Sequence, residues 1–128
     1  MGNLWNAMRA WFRRRFLPRN AVARANEIPV GGVKLFTYPS ARDPCILVRT
    51  APDSYVAYSQ TCTHRGCAVT YSPESNRLEC PCHRGAFAVA TGAALAGPPP
   101  RPLPCVVLER RRGLLFAVRV EPRQTALS

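Results

Sequence analysis

The sequence is poor in several residue types. Only two histidines, His64 and His83, and one lysine, Lys34, occur among its 128 residues. Seven acidic residues stand against 18 basic ones, so the formal net charge is +11. No run approaches the roughly 20 consecutive apolar residues that a membrane-crossing helix requires. The first residues also lack the apolar core of a secretory signal, because Arg13–Arg15 and Arg24 interrupt it. At this length a TIM barrel or a complete dinucleotide-binding enzyme is excluded, since one domain takes roughly 100–150 residues. Wholesale disorder is excluded too, because 47% of the residues are hydrophobic and only 20% are charged. Thirteen prolines and eight glycines favour a loop-rich β domain over a helix bundle.

The positive charge is uneven. Arg9, Arg13, Arg14, Arg15, Arg19 and Arg24 precede the first carboxylate, Glu27. Wound as a helix, Leu4, Trp5, Met8, Trp11, Phe12 and Phe16 share an arc of about 140°. Most of the arginines lie outside that arc, and Arg15 would have to snorkel. Residues 4–16 thus read as a basic amphipathic helix that contacts a membrane surface or docks on a partner subunit. The run Arg13-Arg14-Arg15-Phe16-Leu17 also looks like the start of a twin-arginine export signal, but Pro18-Arg19-Asn20 follows where an apolar stretch should be. No aromatic-studded basic strand or recognition helix accompanies the arginines, so no nucleic-acid partner is expected.

Pro18 ends the helical pattern. Residues 1–18 are therefore read as the helix, 19–32 as a linker, 33–122 as the folded domain and 123–128 as a tail. Within the domain, Val33–Tyr38 is one predicted strand. Cys45–Arg49 and Tyr55–Ser59 form a hairpin about Pro52-Asp53-Ser54. Ala68–Tyr71 and Arg77–Glu79 form a second, followed by a short strand over Ala86–Ala88. Val106–Arg110 and Leu114–Val120 flank the basic turn Arg111-Arg112-Gly113. Short strands at this spacing predict an all-β fold, a small antiparallel sandwich or barrel. Gly97-Pro98-Pro99-Pro100-Arg101-Pro102-Leu103-Pro104 is a stiff surface loop, because proline donates no ladder hydrogen bond.

The chemistry lies between Cys62 and His83. The first box is Cys62-Thr63-His64-Arg65-Gly66-Cys67, and the second is Cys80-Pro81-Cys82-His83-Arg84-Gly85-Ala86-Phe87. Fifteen residues separate His64 from Cys80, enough for a hairpin whose two ends each supply a thiolate and an imidazole. Soft sulfur and borderline nitrogen donors favour zinc or iron–sulfur over magnesium or calcium. A Cys₂His₂ set suits one tetrahedral zinc, as in a zinc-stabilised binding module. It equally suits a [2Fe–2S] cluster with two cysteines on one iron and two histidines on the other. Cys67 and Cys82 stand beside the ligand pairs, one in each box. Cys45 and Cys105 lie in predicted strands and read as buried apolar residues. No Ser/His/Asp or Cys/His catalytic set can be assembled without dismantling this constellation, so no independent catalytic residue is assigned.

The two boxes, in residue type, order and spacing, resemble those of the Rieske [2Fe–2S] family. Cys67 and Cys82, together with Gly97-Pro98-Pro99-Pro100, resemble its disulfide-containing branch. That branch comprises the Rieske subunits of cytochrome bc and b6f complexes and of arsenite oxidase. The similarity spans about residues 30–121. It implies that Cys62 and Cys80 hold the inner iron, and that His64 and His83 hold the outer, redox-active iron. It implies a Cys67–Cys82 disulfide, and a docking surface for quinol or the next carrier around His83, His64, Pro98 and Pro99. Its partners would be a quinol-binding membrane subunit, a cytochrome or another iron–sulfur protein. The chain would then be peripherally associated with a membrane, on the oxidising side if the disulfide forms. Ferredoxins that feed oxygenases, the alternative role, generally lack the second cysteine pair. One departure matters. High-potential members carry Gly-Ser-x-Tyr after the last histidine, whereas this chain has Arg84-Gly85-Ala86-Phe87. Losing two hydroxyl donors to sulfur predicts a potential in the middle or lower part of the range of about −150 to +300 mV.

Overall fold

The computed structural model describes residues 19–61, 67–82, 84–97 and 101–122. The expected helix over 4–16, the residues Cys62, His64, His83, Pro98 and Pro99, and the tail 123–128 lie outside them. The described residues form ten strands and no helix, so there is among them no helix long and apolar enough to cross a membrane.

The strands are β1 (Asn20–Arg24), β2 (Val33–Thr37), β3 (Pro44–Ala51), β4 (Ser54–Ser59), β5 (Thr70–Ser72), β6 (Arg77–Cys80), β7 (Gly85–Ala88), β8 (Ala94–Ala96), β9 (Cys105–Arg111) and β10 (Leu114–Glu121). Six make one antiparallel sheet in the order β1-β10-β9-β4-β3-β2. The other four make a second sheet in simple sequence order, β5-β6-β7-β8. Within the six-stranded sheet β4 and β9 meet through a single pairing, Tyr58 with Cys105.

Strand β3 shows how the domain is layered. Cys45, Ile46, Leu47 and Val48 are all buried, because β3 has protein on both faces. Side chains alternate sides along a strand. Cys45 and Leu47 enter a core with Val22, Ile28, Tyr38, Val106 and Leu115. Ile46 and Val48 enter the opposite core with Tyr58, Val69, Leu78, Phe87 and Leu103. This second core joins the two sheets and includes Cys80. The four-stranded sheet is therefore seated on the larger one by apolar packing, each buried side chain of this size contributing about 1.5–3 kcal/mol.

The predicted hairpins are present, with ends displaced by a residue or two. Arg112 and Gly113 have φ of 52° and 77°. Two successive left-handed residues make the tight primed turn that suits the twist of β9 and β10. Two strands were not expected. Residues 19–32, read as a linker, contain β1, which pairs with β10 and buries Val22 and Ala23. A register shift between Ala21 and Ala23 puts two consecutive residues into the core, which erases the alternation that would mark a strand. Beyond β1, Gly31 N–H donates to Arg49 O at 2.7 Å, and Arg49 N–H donates to Gly32 O at 3.1 Å. The folded domain thus begins before residue 33. Strand β8 was missed because its Ala-Leu-Ala carries little strand preference.

Candidate metal centre

Strand β6 delivers Cys80. Arg77 and Glu79 point outward and form an ion pair at 3.3 Å, while Leu78 and Cys80 point inward and are buried. Cys80 lies opposite Gly85 of β7, so residues 81–84 close the hairpin. Arg84 adopts φ 55°, a left-handed conformation uncommon outside glycine, which tightens that loop. Cys82 sits on the loop and is exposed.

The first box is pinched at its base. Thr61 bridges to Ala68, Val69 N–H donates to Gln60 O at 2.8 Å, and Gln60 Nε2 donates to Val69 O at 3.2 Å. Cys67, at the end of that box, packs against the core that contains Cys80. Cys67 and Cys82 form a disulfide with Cα atoms 6.4 Å apart. The Sγ atoms of Cys67, Cys80 and Cys82 all lie within 4.8 Å of one another. Two boxes separated by a hairpin in the sequence are thus clasped at one point in space.

A third segment meets them. Gly97, with φ 84°, follows β8 and lies against the second box. A Cβ at Gly97 would fall 2.7 Å from Gly85 Cα and 3.1 Å from Arg84 O. The proline loop therefore starts in backbone-to-backbone contact with the cysteine loop. Gly85 belongs to the second box and Gly97 opens the proline run, but nothing in the sequence showed that the two meet. Ala86 and Phe87 are both buried, and Phe87 fills the core instead of presenting a hydroxyl.

The donor set fits a two-iron cluster. The disulfide withdraws Cys67 and Cys82 from the thiols that could bind metal. Cys45 and Cys105 are buried, as expected, and neither belongs to the sulfur group. What remains in the two boxes is Cys62, His64, Cys80 and His83, two soft sulfurs and two imidazoles. Burial of Cys80 at the clasp supplies the dry surroundings that such a centre requires.

An all-β domain in which a disulfide joins two cysteine- and histidine-bearing sequence boxes has the make-up of an iron–sulfur electron carrier. The model of the Rieske [2Fe-2S] domain matches residues 19–107, and the chain belongs to that family. Its cofactor is a [2Fe–2S] cluster and its chemistry is one-electron transfer. It is 40% identical over 92 residues to the putative respiratory nitrate reductase subunit Rieske of Haloferax mediterranei, a match covering 57% of this chain and 41% of that protein. The chain thus spans less than half the length of that curated relative. Among solved structures it is similar to the cyanobacterial plasma membrane Rieske protein PetC3 from Synechocystis PCC 6803. There the identity is 28% and the TM-score 0.67, covering 78% of this chain and 98% of that one. The ferredoxin of carbazole 1,9a-dioxygenase from Nocardioides aromaticivorans IC177 is likewise 28% identical, with a TM-score of 0.64, covering 82% of this chain and 98% of that one.

Proposed function

We propose that the chain is the electron-transfer subunit of a membrane-associated, quinol-linked redox complex. Cys62 and Cys80 hold one iron and His64 and His83 hold the other. The observation that carries this reading is the Cys67–Cys82 bridge beside the buried Cys80. A second cysteine pair resembles the branch that includes the bc and b6f complexes, and similarity to a respiratory subunit and to a plasma membrane protein supports the reading. When bound, the cluster takes up and releases one electron at a time. The chain's own part is to exclude water around Cys80, to orient the boxes through the bridge, and to hold a proton on the imidazole N–H groups of His64 and His83. That proton makes the potential fall as pH rises, because the oxidised form acidifies the imidazoles. Its partners are a quinol-binding membrane subunit on one side and a cytochrome or second iron–sulfur protein on the other. Residues 4–16 add a contact with the membrane surface, and the bridge favours the oxidising side.

Similarity to a dioxygenase ferredoxin supports a second reading, a soluble carrier that feeds an oxygenase. Purification under mild detergent separates the two. The first reading expects iron and acid-labile sulfide in equal amounts, a reduced-state EPR signal from the cluster, and co-elution with a membrane subunit. A metal-loaded protein recovered entirely from the soluble fraction with an oxygenase favours the second. A colourless protein with zinc and no iron overturns both.

A further inference from the structure

We infer that a cleft on the outer face of the β6–β7 hairpin seats a carboxylate of an acidic redox partner, held by Arg77 and Arg84. This rests on the reading above, in which electrons pass at the end of the domain that carries the two boxes. Cys80 pairs with Gly85, so residues 81–84 form the tip of the hairpin. A cleft of about 270 Å³ opens beside that tip, lined among others by Thr70, Arg77, Glu79, Pro81, Arg84 and Ala86. Its base is one row across three strands, because Thr70 lies opposite Glu79 and Glu79 lies opposite Ala86. Arg84 follows His83 in the chain and is exposed. An acidic group held there is brought to the loop that carries a histidine of the proposed centre.

The cleft is short of negative charge. Elsewhere Arg19, Arg110 and Arg119 each meet a carboxylate, at 2.6, 3.5 and 2.9 Å. Here two guanidiniums stand beside one carboxylate, that of Glu79. It already accepts from Ser75 Oγ at 3.2 Å and from Arg77 Nη2 at 3.3 Å. Arg84 has no ion pair among the described residues. Arg77 Nε is buried without a hydrogen-bond partner, a state that costs free energy. The Arg77 side chain is nevertheless 40% exposed, so its guanidinium can turn. Turning presents the Nε–Nη2 edge to a second carboxylate, which accepts both N–H groups at once. A plane of lipid phosphates fits this recess less well, because Glu79 would face it. The occupant is therefore a carboxylate on a protein.

The test uses the holoprotein, reduced with dithionite, desalted without oxygen and mixed by stopped flow with two ferric acceptors. One is cytochrome c, a basic protein, and the other is the same cytochrome with its lysines succinylated, which makes it acidic. One electron passes from the reduced protein to each ferric haem. At low ionic strength Arg77→Gln/Arg84→Gln should slow reduction of the succinylated form about tenfold and leave that of native cytochrome c unslowed. The difference from the parent should fade as salt is added. Arg111→Gln/Arg112→Gln removes the same charge at the β9–β10 turn, at the other end of β9 from the core that contains Cys80 and Cys105, and should slow it less than about twofold. Glu79→Gln frees Arg77 and should speed it more than Glu74→Gln, the same charge change on the β5–β6 turn. Equal slowing by the two arginine pairs overturns the inference, because net charge alone would then steer the acceptor. Equal slowing of both cytochromes by Arg77→Gln/Arg84→Gln also overturns it, because the cluster and not the docking would have changed. Loss of binding to phosphatidylglycerol vesicles, with the succinylated cytochrome reduced at the parent's rate, overturns it in favour of a lipid surface. A parent protein that reduces neither cytochrome overturns the electron-transfer reading together with the inference.

Discussion

Gly97 and Gly85 are in backbone contact: a Cβ built on Gly97 would lie 2.7 Å from the Gly85 Cα. That distance is shorter than real side chains tolerate, and the obstacle is backbone that cannot rotate away. Gly97 also sits at φ 84°, where an alanine is strained by about 1 kcal/mol or more. Gly113 supplies the matched control, with φ 77° and nothing within 4 Å of the added carbon. Gly113→Ala should therefore lose only the conformational term, about 1 kcal/mol. Gly97→Ala should lose about 2–4 kcal/mol and shed its cluster faster in chelator, because the proline loop must move off the cysteine loop. Equal losses in the two variants, measured by chemical denaturation, would show that the contact is unimportant.

The disulfide holds the site from the other side. It spans 15 residues of sequence, and closing a loop of that size is worth about 3 kcal/mol through the unfolded state. A Cys67→Ala/Cys82→Ala double variant should melt about 10–20 °C below the parent. It should still bind iron, since neither residue is a ligand in the proposed centre, but lose it at a higher rate. A variant with an unchanged melting temperature would mean that the six-stranded sheet alone sets the stability.

Much of this was legible in the residues, and the exceptions share a physical cause. Strands β3, β4, β9 and β10 were readable because they are short runs rich in branched and aromatic residues, and their turns carry Pro-Asp or Arg-Gly signals. Strand β1 was hidden, because the bulge between Ala21 and Ala23 disrupts its pairing and its alanines contribute little strand preference. The two boxes were readable from residue type and spacing, and Cys67, Cys80 and Cys82 indeed converge. The Gly85–Gly97 contact was not, because it joins residues whose closeness is set by the β7–β8 pairing and not by any side chain. Patterns report what a residue wants to bury, whereas a close approach of two backbones depends on the completed fold.

Tyr58 ties the two sheets together. Its hydroxyl, on β4, donates to the carbonyl of Val89, just past β7, at 2.8 Å, and the ring is 1% exposed. Tyr58→Phe keeps the packing against Gly92 but leaves the buried Val89 carbonyl without this donor. The expected loss is about 1–2 kcal/mol. It should fall chiefly on the turn that follows β7, where amides such as Gly92, bonded to Ala88 O at 2.7 Å, should exchange faster. A uniform rise in exchange across both sheets would argue instead that the two sheets open together.

Cys45 gives the domain an alkaline limit. It is 2% exposed, in the core of the larger sheet, and its thiol donates to the Tyr38 carbonyl at 3.3 Å. Burial pushes this thiol up to about 11, because a thiolate there would lose its hydration, and the nearby Asp43 carboxylate acts in the same direction. The group is an acid with a raised folded value. Its stabilising contribution is therefore complete below the unfolded thiol's ordinary range, near pH 9, and is lost as pH climbs from there to about 11. The loss is at most about 2–3 kcal/mol. The Tyr38 hydroxyl, also raised by burial, extends the decline to higher pH. Cys45→Ala should lower stability at pH 8 through a small cavity, yet lose less of it between pH 9 and 11 than the parent. Denaturant titrations at intervals across that window measure both slopes, and parallel curves would place the alkaline sensitivity elsewhere in the domain.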